Sequence, residues 1–532
     1  MLNFDNGAMA IVLLSACGFC YRRLLRYLHM FQQDDYNEVR LLQWLWHTGS
    51  FDRRISIALV LIALLAVWVL SPSYAALAVA LLFAVAAWRE PDPRVAGKKK
   101  LVITQRARRI LVMACLLQFL LILAVGIKMQ PVAWVLAVQF VPLAVVIGNI
   151  LLRPVEARIQ AKIMREAVQR LQQVAPKIIG ITGSFGKTSV KHILGHVLEV
   201  NASTLYTPGS VNTLMGISRI IREKLPDQCR FFIVEMGAYG VGSITRLCRF
   251  TPPDLGIITA IGEAHYERFK SLDGVAHAKF ELADSVWRKP DGQMVLHQQT
   301  LSQPYAAGQV AAHRGQAWVC GAGPDADAAV QDVQTTPQGL TLSLTWCGMT
   351  YALQVPLFGK HHADNVALAF VAAATLGIAP EKIVYALRTV PQIKHRLEVK
   401  KQGDMTLIDD AFNSNPRGFA EAVDVMALLA SAGQGRAILV TPGLVELGER
   451  HDQVHHDLGV HAAQKSDVVL AIAPDRIPDF ITAIQQTAPG KTLLLMPTMA
   501  AALAWVRDNA RASDVVLLEN DLPDLYEARL SL

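Results

Sequence analysis

Residues Pro176 to Leu198, PKIIGITGSFGKTSVKHILGHVL, constrain the fold more than any other stretch of the chain. An apolar run of β type, Ile178 to Ile181, leads into the glycine turn Gly183-Ser184-Phe185-Gly186. From Lys187 onward Val190, Ile193, Leu194 and Val197 recur on one helical face. Strand, glycine turn and a helix that opens on Lys187-Thr188-Ser189 make a cradle for phosphate. Backbone N–H groups at the helix start point at the anion, Lys187 brings a point charge, and the Thr188 hydroxyl suits Mg2+. The general pattern G-x-x-x-x-G-K-[ST] wants glycine at position 181, where this chain has Ile181; its own spacing is Gly180-x-x-Gly183-x-x-Gly186-Lys187-Thr188.

Around this core the 532 residues are too many for one ordinary domain. Hydrophobic residues make up 52% and charged ones 18%, and the mean hydropathy is +0.31. The excess lies at the start: residues 1–153 carry 16 Lys+Arg against 7 Asp+Glu, so +9 of a chain total of +7. Apolar runs at Ala8–Tyr21, Ile55–Leu70, Tyr74–Trp88, Ile110–Ile127 and Pro131–Leu152 predict about five membrane spans. Basic residues follow the first run (Arg22, Arg23, Arg26) and the third (Arg89, Arg94, Lys98), and the opposite loops have almost none. The positive-inside rule then places the N-terminus outside and everything after the fifth run in the cytoplasm. A membrane flank accounts for the basic charge, so no nucleic-acid partner is expected. Cys17-x-x-Cys20 lies in an apolar run without a second pair and reads as ordinary buried thiols. Arg22 to Trp46, with Leu24, Leu25, Leu28, Phe31, Leu41 and Leu45 among charges, reads either as an interfacial helix pair or as a surface helix packing on the soluble part.

The expected order is a transmembrane region at 1–153, a connector helix at 154–175, and two α/β domains at 176–390 and 391–532. Apolar strand runs at Ile178–Ile181, Phe231–Val234, Leu255–Ile258 and Met294–His297 alternate with helical patterns, which argues for a mainly parallel sheet. Ala328 to Leu357 reads as strands with turns, and a helix is expected over about Ala363 to Leu376. A smaller unit then follows, with strands at Met405–Ile408, Ala437–Val440, Val468–Ile472, Thr492–Leu495 and Val515–Leu518.

Four downstream stretches bring acidic, histidine or amide groups beside glycine turns. Glu235 ends the run Phe231-Phe232-Ile233-Val234, where a buried carboxylate needs a cation. Gly262-Glu263-Ala264-His265 precedes Ala278-Lys279, and Gly359-Lys360-His361-His362 precedes Asp364-Asn365. His395-Arg396-Leu397-Glu398 comes before Asp409-Asp410-Ala411-Phe412-Asn413-Ser414-Asn415-Pro416. Taken singly, Glu235 and His265 read equally as paired core residues and Lys279 as a surface lysine. The histidines at 361–362 and at 451, 455 and 456 read as solvated helix residues rather than a metal cluster.

Together these stretches resemble the Mur ligase family, most closely the MurF type that adds D-alanyl-D-alanine to the peptidoglycan precursor, from about Pro176 to the C-terminus. The glycine spacing that departs from the general phosphate loop matches the family's own TG-x-x-GKTS. The resemblance implies a central ATPase domain, a Rossmann-like C-terminal domain that closes over ATP, and one or two Mg2+ ions. It implies that Gly183, Gly186, Lys187, Thr188 and Ser189 hold the phosphates, with Thr188, Glu235 and His265 as metal ligands and Lys279 as a carbamylated lysine. Asn365 would face adenine, and Arg396 and Asp410 would reach phosphates and ribose. Asn212 would lie near the acyl substrate, and Asn413, Ser414 and Asn415 near the amine. The implied reaction is ATP-driven amide formation through an acyl phosphate, in which Lys187, Lys279 and His265 are the catalytic candidates.

The apolar region stands where MurF-type enzymes carry a UDP-binding domain. The expectation is therefore a membrane-anchored ligase for a cell-envelope component, acting on an amino-acid or peptide amine and a lipid-linked carboxylate. The alternatives are a MurF-type or poly-γ-glutamate-type synthase, and a nucleotide-binding regulatory subunit.

Overall fold

The computed structural model describes residues 6–520 apart from 35, 48–56, 58–59, 62–63, 66–67, 70–71, 96–99, 127–134, 136, 239, 263–270, 412–413 and 446. The expectations for Ile55–Leu70, for His265 and for Asn413 lie wholly or largely outside these residues. The chain divides into two compact units, one running to Ala161 and the other starting at Lys162.

The first unit is helical, with helices at Asn6–Gln33, Glu38–His47, Pro72–Arg89 and Gln105–Gly126, and the beginning of Val141–Val174. The first helix does not stop after the first apolar run but continues to Gln33. Leu24, Leu25, Leu28, Phe31, Leu41 and Leu45 are buried within the unit's own core. The connector is not a separate helix either. A single helix of 34 residues runs through Pro154, which forfeits only one hydrogen bond there, to the carbonyl of Ile150. Among the described residues one helix, Gln105–Val125, is long and apolar enough to cross a membrane, and Tyr74–Arg89 is a shorter apolar one. At the end of the Pro72–Arg89 helix, Glu90 is buried against Arg23 (3.1 Å) and Arg26 (3.0 Å) of the first helix.

The second unit holds two sheets. The larger has nine strands: β1 Lys177–Thr182, β2 Thr204–Tyr206, β3 Phe231–Glu235, β4 Leu255–Ile258, β5 Gln293–His297, β6 Ala317–Gly321, β7 Ala328–Thr336, β8 Gly339–Trp346 and β9 Met349–Val355. Their order is β2-β3-β1-β4-β5-β6-β7-β8-β9. Pairing is parallel from β2 to β7 and antiparallel onward through β8 and β9. The interiors of strands β1, β3 and β4 are apolar because helices cover both of their faces. The Lys187–Glu199 and His362–Thr375 helices pack on one face with Ile181, Val190, Leu194 and Phe370 in the core. The Leu272–Val286 helix packs on the other with Val234, Phe280 and Leu282.

The smaller sheet comprises β10 Glu398–Gln402, β11 Met405–Asp410, β12 Ala437–Thr441, β13 Val468–Ile472, β14 Thr492–Met496 and β15 Val515–Glu519. Its order is β10-β11-β15-β12-β13-β14, parallel except for the β10–β11 hairpin. The Pro416–Gly433 helix lies on it through Phe419, Val423 and Met426. All five strands expected in this domain form; β10, with the sequence EVKKQ, has no apolar alternation to announce it.

Candidate active site

The site grows from the carboxyl end of β1. Thr182 is buried and its hydroxyl donates to the carbonyl of Met236 at 2.9 Å, which fixes the strand end beside β3. Gly183 follows at φ 154°, where a Cβ would stand 2.0 Å from Thr259 Oγ1, so the turn admits only glycine. Gly186, at φ 79°, immediately precedes the Lys187–Glu199 helix. The Lys187 ammonium folds back onto this turn and donates to the carbonyls of Gly183 (2.7 Å) and Ser184 (3.2 Å). Burial pushes its pKa down, and the nearby Glu235 carboxylate opposes that shift.

Parallel pairing sets Glu235 beside Ile181, at the same sheet edge. Thr188 Oγ1 donates to Glu235 Oε2 at 3.0 Å, and Asn212 Nδ2 donates to Glu235 Oε1 at 3.4 Å. A hydroxyl and a carboxylate on adjoining elements form an all-oxygen donor set, which fits Mg2+. Lys279, on the Leu272–Val286 helix, is 4% exposed and so is not a surface lysine. Burial, with the charge of Lys187 adding to it, pushes its pKa down to about 7.

The smaller sheet supplies the opposite wall. Arg396 is held between two residues with left-handed backbone, His395 (φ 58°) and Leu397 (φ 51°), a strain that persists where the surrounding structure demands it. The N–H of Leu397 donates to Asp410 Oδ1 at 3.1 Å, joining this turn to the end of β11. Burial lowers the Arg396 pKa, against the charges of Glu235 and Asp410. A cleft of about 380 Å³ is lined by Gly186, Lys187, Thr188, Ser189, Asn212, Glu235, Asn365, Arg396, Asp410, Ser414 and Asn415. Of the residues proposed from sequence, these eleven therefore meet in one place, with Gly183 one turn behind them. Asn365 Oδ1 lies 2.7 Å from where a Cβ on Gly186 would stand. Asn415 is already engaged as the cap of the Pro416–Gly433 helix, its Oδ1 accepting from the N–H of Gly418 at 3.0 Å. His265 and Asn413 lie outside the described residues.

Four features escaped the sequence reading. Lys191 is buried against Glu235 at 2.8 Å; its place one turn after Lys187 on the same helix face was the available signal. Glu519 pairs in register with Asp410, is fully buried, and neither of its carboxyl oxygens has a hydrogen-bond partner among the described residues. Burial, and then the charge of Asp410, push its pKa well up. His361 bridges to Glu421 on the Pro416–Gly433 helix at 2.6 Å. Burial alone would raise the Glu421 carboxyl, but this histidine draws it down to about 2. The solvated reading of the histidines fails for two of them. His362 and His455 are each 1% exposed, and His455 is satisfied by the N–H of Leu444 (3.0 Å) and the carbonyl of His451 (2.8 Å). The grouping of His395, Glu398 and Asp409 already holds a cation, the Lys400 ammonium, at 2.9 and 3.2 Å from the two carboxylates.

Residues 181–373 match the Mur ligase middle domain, and residues 395–519 match the Mur ligase glutamate ligase domain. The chain belongs to the Mur ligase family. The UDP-N-acetylmuramoyl-tripeptide–D-alanyl-D-alanine ligase of Bacillus subtilis (strain 168) is 30% identical over 315 residues, 59% of this chain and 64% of that protein. The enzyme of the same name from Mycobacterium tuberculosis is 28% identical, with 68% of this chain and 73% of that protein covered. The crystal structure of MurF from Acinetobacter baumannii is similar at a TM-score of 0.56 and 27% identity, covering 68% of this chain and 77% of that one. The chain thus spans about two thirds of the length of the Bacillus relative.

Proposed function

We propose that this chain is an ATP-dependent, ADP-forming amide ligase of the MurF type. It would activate a carboxylate as an acyl phosphate and join it to the amine of an amino acid or peptide in cell-envelope synthesis. The observation that carries this reading is the cleft itself, where the phosphate turn and Glu235 of one sheet face Arg396 and Asp410 of the other. In this reading the turn at Gly183–Gly186 and the helix N-terminus hold the β- and γ-phosphates. The Lys187 ammonium leaves its two loop carbonyls for the phosphoryl oxygens. Arg396 supports the same charge from the opposite wall, and Asn212 orients the attacking carboxylate. Thr188 and Glu235 would hold Mg2+, which when bound would supply further neutralisation of the transferring phosphoryl group. Burial holds the Lys279 amine near neutral at physiological pH. That lets it add to CO2 with loss of a proton and present a carbamate, a second anionic oxygen ligand.

We further propose that the ligase is anchored in the inner membrane and faces the cytoplasm, which favours a lipid-linked or membrane-proximal carboxylate. Among the described residues, the large apolar side chains left exposed crowd into the first 155, including Leu14, Leu61, Trp68, Trp88, Val112 and Phe119. Exposed apolar area on that scale calls for a covering phase. A second reading, the MurF reaction on the UDP-linked tripeptide with D-alanyl-D-alanine, is favoured by the names of the relatives.

Phosphate release by the detergent-purified chain separates the readings. ATP, Mg2+ and a panel of amines are supplied with either lipid extract or UDP-linked tripeptide, alongside Lys187→Ala. Release that needs lipid extract and one amine supports the membrane ligase, and release with the soluble precursor and D-alanyl-D-alanine supports the second reading. ATP binding without release in any combination refutes both and leaves a regulatory subunit.

A further inference from the structure

Lys191 is buried directly against the carboxylate of the cation site. Its side chain is 2% exposed, and its Nζ donates to Glu235 Oε2 at 2.8 Å. The same Oε2 accepts the Thr188 hydroxyl at 3.0 Å. The carboxylate oxygen that faces the hydroxyl partner of the cation site is therefore already neutralised by an ammonium. A buried carboxylate with its counter-ion in place is a stable arrangement, and one stripped of it is costly. A divalent cation between Thr188 and Glu235 would compete with the ammonium for that oxygen, and two positive centres at such separation repel strongly in a buried site.

The other end of the contact matters as much. Lys191 Nζ also donates to the carbonyl of Gly209 at 2.5 Å. Gly209, with φ 51°, opens the turn that carries Ser210 and Asn212 into the cleft. Asn212 returns to the same carboxylate through Oε1 at 3.4 Å. One ammonium thus ties the cation-binding carboxylate to the turn assigned to the acyl acceptor.

We propose that Lys191 is the resident counter-ion of Glu235, a positioning residue that keeps the place of the divalent cation and yields it when the cation enters. Its departure frees the carbonyl of Gly209, so that loading of the cation and the setting of the Gly209–Asn212 turn are one event. The inference rests on Thr188 and Glu235 being the divalent-cation site.

The test needs no turnover. Thermal unfolding of the detergent-purified full chain is followed against Mg2+ concentration for wild type, Lys191→Met and Glu235→Gln. Methionine keeps the length of the side chain and removes its charge. With the competing ammonium gone, Lys191→Met binds Mg2+ at least about tenfold more tightly than wild type, and Glu235→Gln loses the response. Equal or weaker binding by Lys191→Met overturns the inference and leaves the cation site standing. No Mg2+ response in wild type removes the site itself, and the inference with it. Should Lys191→Met fail to fold, hydrogen exchange on wild type decides instead. Mg2+ speeds exchange in the segment 207–213 if Lys191 lets go of Gly209, and unchanged exchange there refutes the proposal.

Discussion

Replacing Lys279 by methionine should make the protein more stable while it abolishes turnover. The side chain is 4% exposed, and its pKa falls from 10.5 to about 7 through burial and the charge of Lys187. A difference of about 3.5 pH units at about 1.36 kcal/mol each is about 5 kcal/mol, the cost of holding the ammonium in the fold. A folded pKa below the unfolded one gives stability that is present above pH 10.5 and is lost as pH falls through about 7. Methionine fills the same space without that charge. The advantage of Lys279→Met is therefore greatest below pH 7 and shrinks by roughly 1.4 kcal/mol for each pH unit above it. In a domain of this size each kcal/mol moves Tm by roughly 2–4 °C. Melting curves of the two full-length proteins in CO2-depleted buffer, at pH 7 and pH 9, give the comparison. A variant that melts no higher than wild type at pH 7, or whose advantage does not change with pH, refutes the reading of Lys279 as a strained amine kept for its chemistry.

Three further outcomes follow from the same geometry. Glu519→Gln removes a buried carboxyl beside Asp410 whose folded pKa lies above its ordinary 4.5. Wild type thus loses stability relative to the variant as pH rises above 4.5, by about 1–3 kcal/mol, which urea unfolding across pH 4–8 checks. Glu421→Gln takes away a carboxyl held near 2 by His361. It costs about 2–3 kcal/mol at neutral pH, a difference that vanishes as pH falls from 4.5 toward 2 and that hydrogen exchange in the Pro416–Gly433 helix reports. Gly183→Ala drives a methyl group into Thr259 and the N–H of Ala260. It should abolish binding of a fluorescent ATP analogue while the helical content seen by circular dichroism stays the same.

Most of the second unit was legible because its strands are buried on both faces. Ile178–Ile181, Phe231–Val234 and Val468–Ile472 read as unbroken apolar runs for that reason, and glycine turns mark where those strands end. The edge strand β10, with a single apolar residue in EVKKQ, escaped because an edge need not be apolar. In the site, Lys187, Thr188 and Glu235 could be found because local spacing places them. Lys191 shares a helix face with Lys187, but spacing does not show its partner, which lies on a strand 44 residues away. Glu519 was hidden for the same reason: only the β11–β15 pairing brings it beside Asp410. The burial of His362 and His455 reverses the solvated reading, because each helix turns that position inward. In the first unit, apolar runs announced helices but not their ends, as the passage through Pro154 and the extension to Gln33 show.

Transfer of the γ-phosphoryl group to a carboxylate leaves an isotopic record in the released phosphate. The acceptor that supports phosphate release is prepared with 18O in its carboxylate and turned over with ATP and the amine. The released phosphate is then weighed by mass spectrometry. An acyl-phosphate route puts one 18O atom into each phosphate, and Lys187→Ala gives none. Phosphate without 18O would mean that water, and not the carboxylate, takes the phosphoryl group, and a ligase would be ruled out.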